Sequence, residues 1–239
     1  MSSETKTSAN RSAADKEEHS LTKTPLLFFV AVTFLLSFLG YAPWVLESYG
    51  LLPGGLGMPF MLIGGGSPTL GAFAAVYRMN GREGIGRLFG GFSRQFPKRW
   101  AAVGFLLPAG IFIGALALMS FVGLPLDLLS VELMLLLMLL PQALMMNVWE
   151  EIGWRGFLLP GLQEKQSAFT SSIIVGLIWS LWHIPHFLVK DSPQLAIFGN
   201  FLIFIFHTVL VSIVYTWLYN SGRGNLIPVT LFHATMNAV

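Results

Sequence analysis

What most constrains this chain is the recurrence of apolar runs long enough to cross a bilayer and almost free of charge. They lie at about 25 to 46, 60 to 77, 100 to 122, 133 to 160, 168 to 189 and 195 to 219, with a last one opening near 225. Each approaches the roughly 20 residues that a helix needs to span ~30 Å of hydrocarbon. None shows the alternation of a membrane strand, which argues against a β-barrel. Only 11% of the 239 residues are charged and the mean hydropathy is +0.67, whereas about 25% are charged in an ordinary soluble domain. The expected fold is all-α: a polytopic membrane helical bundle of about seven transmembrane helices, multi-pass in the cell membrane and in contact with membrane lipid.

Residues 1–24 carry Lys6, Arg11, Lys16 and Lys23 against Glu4, Asp15, Glu17 and Glu18, with no apolar periodicity. This segment reads as a disordered cytoplasmic tail, and 25–239 as the transmembrane domain, whose motif-bearing half is about 133–239. The first apolar run is longer than a signal-peptide core and is not followed by a small-residue cleavage site, so it reads as a retained helix. Between Arg78 and Arg99 lie Arg78, Arg82, Arg87, Arg94, Lys98 and Arg99, opposed by Glu83 alone. Cytoplasmic loops concentrate Lys and Arg, so this loop is placed inside and, counting back, so is the N-terminus. The loops near Glu47 and near Asp127 and Glu132 then face outward without a basic residue, and Lys190 is the one of 14 basic residues left outside. The imbalance thus reports topology and does not point to nucleic acid. Part of the basic loop, from Arg82 to Trp100, interleaves Ile85, Leu88, Phe89, Phe92 and Phe96 with arginines, which suits a short helix in the inner headgroup layer. Gly64, Gly65 and Gly66 before Ser67 suit close helix packing. The absence of cysteine excludes disulfides, a thiol nucleophile and thiolate metal sites.

Against this background three clusters of polar residues stand out. A charge at mid-bilayer costs about 2.5 to 3.5 kcal/mol on insertion scales, so Glu150, Glu151 and Arg155 should face protein or a wet cavity. On a helix Glu151 and Arg155 are one turn apart and suit an ion pair, whereas Glu150 points about 100° away and stays free of it. That separation suggests one structural and one chemical glutamate. In the second cluster Trp179 and His183 are also one turn apart, and Pro185 should disturb the helix just beyond. In the third, His233 and Asn237 share a face and together suit holding an oxyanion or a substrate carbonyl. Each cluster also has a structural reading. Paired charges stabilise an interior without chemistry, Trp149, Trp154 and Trp182 suit packing or the membrane interface, and His207 suits packing or an interhelical hydrogen bond. His186 is open to either.

Glu-Glu-x-x-x-Arg, aromatic-x-x-x-His and His-x-x-x-Asn, in that order on successive membrane helices, resemble the CPBP family of intramembrane proteases. The family includes the CAAX prenyl endopeptidases and the bacteriocin-processing, or abortive-infection, proteins. The resemblance covers about residue 133 to the end. It implies a hydrolase, a CAAX-prenyl-protease-like enzyme acting on a peptide or lipidated protein in a cavity open to the cytosol. Glu150 and His183 would activate water, His233 and Asn237 would stabilise the oxyanion, and Glu151, Arg155 and Trp179 would support them. No cofactor is favoured. The alternative is zinc held by Glu150, His183 and His233, although no His-Glu-x-x-His is present. Two features depart from the family pattern: Trp179 stands where phenylalanine is usual, and the chain stops at Val239. About 15 residues from Asn225 give roughly 22 Å of helix, short of a span, so the last helix reads as truncated and the third motif as weakly anchored. Rival functions are a membrane transporter, since intramembrane charges also mark ion routes, and a non-catalytic immunity or assembly protein of the same fold.

Depth adds a condition. A fourth helix ending at Glu150 would leave that residue near the cytosol and His183 near the outside. Their meeting requires the helix to continue to about Leu159, with Pro160-Gly161 as its stop. The topology itself has a direct test in this cysteine-free chain. A single cysteine in place of Ser93 should react with a membrane-impermeant maleimide from the cytoplasmic side only, and labelling from outside would reverse the assignment.

Overall fold

The computed structural model describes residues 3–123 and 133–238, and the side chains of 25–123 and 140–238. The outward loop expected near Asp127 and Glu132, and Val239, lie outside the described residues. Among the described residues every regular element is helical: α1 (Ser3–Ser48), α2 (Gly57–Ser93), α3 (Arg99–Phe121), α4 (Leu133–Gly153), a π-helical turn (Trp154–Leu158), α5 (Leu159–Gln163), α6 (Ala168–Trp182), α7 (Ile184–Leu188), α8 (Pro193–Phe198), α9 (Phe201–Ser221) and α10 (Leu226–Ala238). Among the described residues five stretches are long and apolar enough to cross a membrane: Pro25–Ser48, Gly57–Ser93, Arg99–Phe121, Ala168–Leu188 and Phe201–Ser221. The chain is a multi-pass membrane protein. α10 is about 20 Å long at 1.5 Å per residue.

Several boundaries differ from the expectation, each for a physical reason. Residues 3–24, expected as a disordered tail, continue α1 toward the N-terminus. Their Ala, Glu and Lys favour helix, and growth from an existing helix avoids the nucleation cost. The expected surface helix from Arg82 to Trp100 is joined to the preceding span through Gly81, whose φ of 60° kinks α2, and it ends at Ser93, where Arg94 turns extended ahead of Pro97. Its glycines are compatible with helix because two of them face the body of the protein: Gly84 lies over the Val76 carbonyl and Gly91 against Leu226. The span expected at 195–219 is broken by Gly199, at a φ of 70°, and restarts at Asn200, whose side chain caps α9 by accepting from Ile203 N at 3.0 Å. The fourth helix does continue past Glu150, through the π turn, and runs beyond Pro160 to Gln163.

Without a hydrophobic force between helices in lipid, close approach and buried hydrogen bonds hold a bundle together. Both are present at the pairings that matter here. Gly40 of α1 meets Gly64 of α2, Gly176 of α6 meets Val209 and Ser212 of α9, and Gly104 of α3 meets Pro228 of α10. Ser212 Oγ donates to the Ser172 carbonyl at 2.8 Å, tying α9 to α6. Trp182 Nε1 donates to Ser67 Oγ at 2.9 Å, tying α6 to α2, and Thr69 Oγ1 donates to the Trp149 carbonyl, tying α2 to α4.

α10, expected to be weakly anchored, is secured from its sides and its start. It packs on α3 and α4 and buries Phe232, His233, Ala234 and Thr235. The fully buried Asn225 donates from Nδ2 to the carbonyls of Phe92 (3.2 Å) and Arg94 (2.6 Å) and accepts from Ile227 N (2.7 Å). Gly153 of α4 tests the packing argument. A Cβ there would lie 2.5 Å from Pro68 Cβ and from its carbonyl oxygen, so Gly153→Ala should destabilise by about 1–3 kcal/mol, seen as a lower melting temperature in detergent. Gly86→Ala, with open space around the added methyl, should be neutral or gain up to about 1 kcal/mol. Equal effects at the two positions would refute the close-approach account.

Candidate active site

The site is built from α4, α6 and α10 around a cavity of about 800 Å³. Asn147, Glu150, Trp179, His183, His233 and Asn237 all line it, so the three sequence motifs converge on one hollow. Glu151 and Arg155 lie behind it, both fully buried and paired, Arg155 Nη1 to Glu151 Oε1 at 2.9 Å. The same oxygen accepts from His233 Nδ1 at 2.8 Å, across 82 residues of sequence. One carboxylate thus joins α4 to α10. The Arg155 guanidinium also stands over the rings of Tyr215 and Trp179, 4.0 and 4.7 Å from their centroids. These cation–π contacts bring α6 and α9 onto the same charge.

Glu150 projects away from that cluster, as the helical spacing requires. Its Oε2 accepts from Trp179 Nε1 at 2.8 Å. Trp179 therefore does more than wall the imidazole: its indole N–H orients the Glu150 carboxylate, while its backbone carbonyl lies 2.9 Å from His183 Nδ1. A carbonyl only accepts, so Nδ1 carries the hydrogen and a neutral His183 keeps its lone pair on Nε2. His183 itself forms the break between α6 and α7. Pro185 sits in the first turn of α7, where its missing N–H costs nothing, so the helix breaks just before the proline and not beyond it.

At the third motif, Asn237 Nδ2 donates to Asn147 Oδ1 at 3.1 Å. Asn147 was not anticipated, although its place one turn before Glu150 puts it on the same face. Tyr41 and Tyr215 also line the cavity, and neither carries a spacing signal. His186 is buried, with its ring 4.3 Å from that of Tyr41 and edge-on to it, and lines the cavity with His183. His207, expected in packing or an interhelical hydrogen bond, packs with its ring 5.1 Å from that of Phe198 and lines the cavity as well, its Nδ1 without a partner. Trp154 and Trp182 are core residues and Trp149 is substantially exposed. Among the described residues no group of three or more His, Asp or Glu side chains is placed to hold a metal ion.

The cavity lining offers the Glu150 carboxylate, the Nε2 lone pair of a neutral His183, the His233 ring and the paired amides of Asn147 and Asn237. Comparison with known proteins adds to this. Residues 132–239 match the family model described as type II CAAX prenyl endopeptidase Rce1-like. The chain is 36% identical over 98 residues to CAAX prenyl protease 2 of Methanococcus maripaludis, an alignment spanning 39% of this chain and 36% of the archaeal protein. The residues matched by the family model include all three sequence motifs. The buried cluster makes a stability prediction that is independent of activity. Arg155→Met should leave the Glu151 charge uncompensated and cost about 3–5 kcal/mol, whereas Glu151→Gln with Arg155→Met should cost clearly less than the sum of the two single changes. Additive losses in thermal unfolding would show that the two groups do not act as a pair.

Proposed function

With residues 132–239 taken as an Rce1-like CAAX prenyl endopeptidase domain, we propose that this protein is an intramembrane endopeptidase that hydrolyses a peptide bond through a water activated by Glu150 and His183. The observation that carries this reading is the meeting of Glu150, His183, His233 and Asn237 on one cavity. The Glu150 carboxylate takes a proton from water while His183 Nε2 accepts a hydrogen bond from the same molecule, and the water oxygen bonds to the scissile carbonyl carbon. Negative charge on the carbonyl oxygen is met by N–H groups of His233 and Asn237. His233 donates through Nε2 when both ring nitrogens carry hydrogen, a charge that Glu151 balances. The carbon–nitrogen bond then breaks, Glu150 returns its proton to the leaving amine, and a carboxylate and an amine are released without a covalent enzyme intermediate.

The substrate class is a peptide or lipidated protein. Met61, Ile197, Phe198, Phe204 and Val211 give the cavity an apolar wall, suited to a hydrophobic chain beside the peptide. In this reading water activation is glutamate-dependent and metal-free. The N-terminus is placed on the cytoplasmic side, as the basic loop indicates.

Glu150→Gln decides the reading. Wild-type protein in detergent should release the terminal tripeptide from a farnesylated CAAX peptide, detected by mass spectrometry. The variant should lose this by at least about 10²-fold with an unchanged melting temperature. Cleavage by the variant at the wild-type rate would remove Glu150 from the mechanism. A chelator should leave the wild-type rate intact, and a loss restored by added zinc would replace the metal-free step.

A further inference from the structure

Asn147 has no place in the three motifs, yet its surroundings are those of a working group. It is 2% exposed and lines the cavity with Glu150, one helical turn away. Its Oδ1 accepts from Asn237 Nδ2 at 3.1 Å. Its Nδ2 is buried and has no partner. Buried amide N–H groups are nearly always paired, and an exception calls for an explanation. Asn237 differs in both respects: it is exposed and its amide N–H is already engaged.

Stabilising a developing oxyanion requires donors held in place before the reaction, so that no reorganisation is needed as charge appears. A buried side chain in the middle of a continuous helix meets that requirement better than an exposed one in the last turn of α10. We propose that Asn147 Nδ2 donates directly to the carbonyl oxygen of the scissile peptide bond, as a further donor beside His233 and Asn237, with the Asn237 bond to its Oδ1 holding it in place. Asn147 is then a catalytic residue. The assignment rests on the endopeptidase reading above and refines its oxyanion site.

The test pairs variants of Asn147 with two farnesylated CAAX peptides that differ only at the scissile bond, one with an oxygen carbonyl and one with a thiocarbonyl, whose sulfur is a poor hydrogen-bond acceptor. Asn147→Ala should lower kcat for the oxygen peptide by about 10²-fold, the loss typical of one oxyanion donor, with KM within about threefold. The ratio of oxygen-peptide to thio-peptide kcat/KM should fall by about tenfold, since the variant no longer distinguishes the two acceptors at that contact. Asn147→Asp keeps the acceptor for Asn237 and removes both N–H groups, so it should show the same fall in discrimination even if the alanine variant folds poorly.

A kcat within threefold of wild type, or a reduced kcat with the oxygen-to-sulfur ratio unchanged, would make Asn147 a packing residue and overturn the assignment. Wild-type protein that cleaves neither peptide would overturn the endopeptidase reading itself, and this inference with it.

Discussion

A carboxylate that lipid will not tolerate alone organises the C-terminal part of this protein. Glu151 is sealed from solvent, and one of its oxygens serves both Arg155 and His233. Arg155 in turn faces the rings of Trp179 and Tyr215. Four helices, α4, α6, α9 and α10, are thereby referred to a single charge cluster. Desolvating such groups is expensive and their mutual attraction does not always repay it, so the cluster is better understood as fixing geometry than as adding stability. It sets the position of His233 on one side and of Trp179 on the other, and Trp179 sets both Glu150 and His183.

The division of labour between the adjacent glutamates follows from helical geometry alone. A step of about 100° per residue sends one carboxylate into the charge cluster and the other to the cavity. The π turn at Trp154–Leu158 comes directly after them and carries the helix onward to Gln163. Turns of this kind occur often at functional sites. The helix thus runs on past Glu150, which lines the same hollow as His183.

Much of this was legible in the sequence because it depends on local periodicity. The apolar runs gave the helical class, and the four-residue spacings gave the Glu151–Arg155 pair and the shared faces of Trp179 with His183 and His233 with Asn237. What was hidden is contact between distant helices. Spacing says nothing of the bond from Trp179 to Glu150, of His233 meeting Glu151, or of Tyr41 entering the cavity from α1. Asn147 lies between: its turn relation to Glu150 was readable, but its bond to Asn237 was not. The boundary differences also have local causes. Gly199 and Asn200 interrupt an apolar run that hydropathy reads as continuous, and the polar start of α1 follows helix propensity, to which an apolar-periodicity reading is blind.

The Asn225 amide joins the carbonyls of Phe92 and Arg94, where the basic surface segment ends, to the first turn of α10. His233 follows two turns later on that same short helix. One side chain is therefore a common hinge pin for the part of the molecule that suits the headgroup layer and the part that presents an imidazole to the hollow. At that joint a displacement of one is passed to the other, so the candidate site and the basic segment share a mechanical reference point.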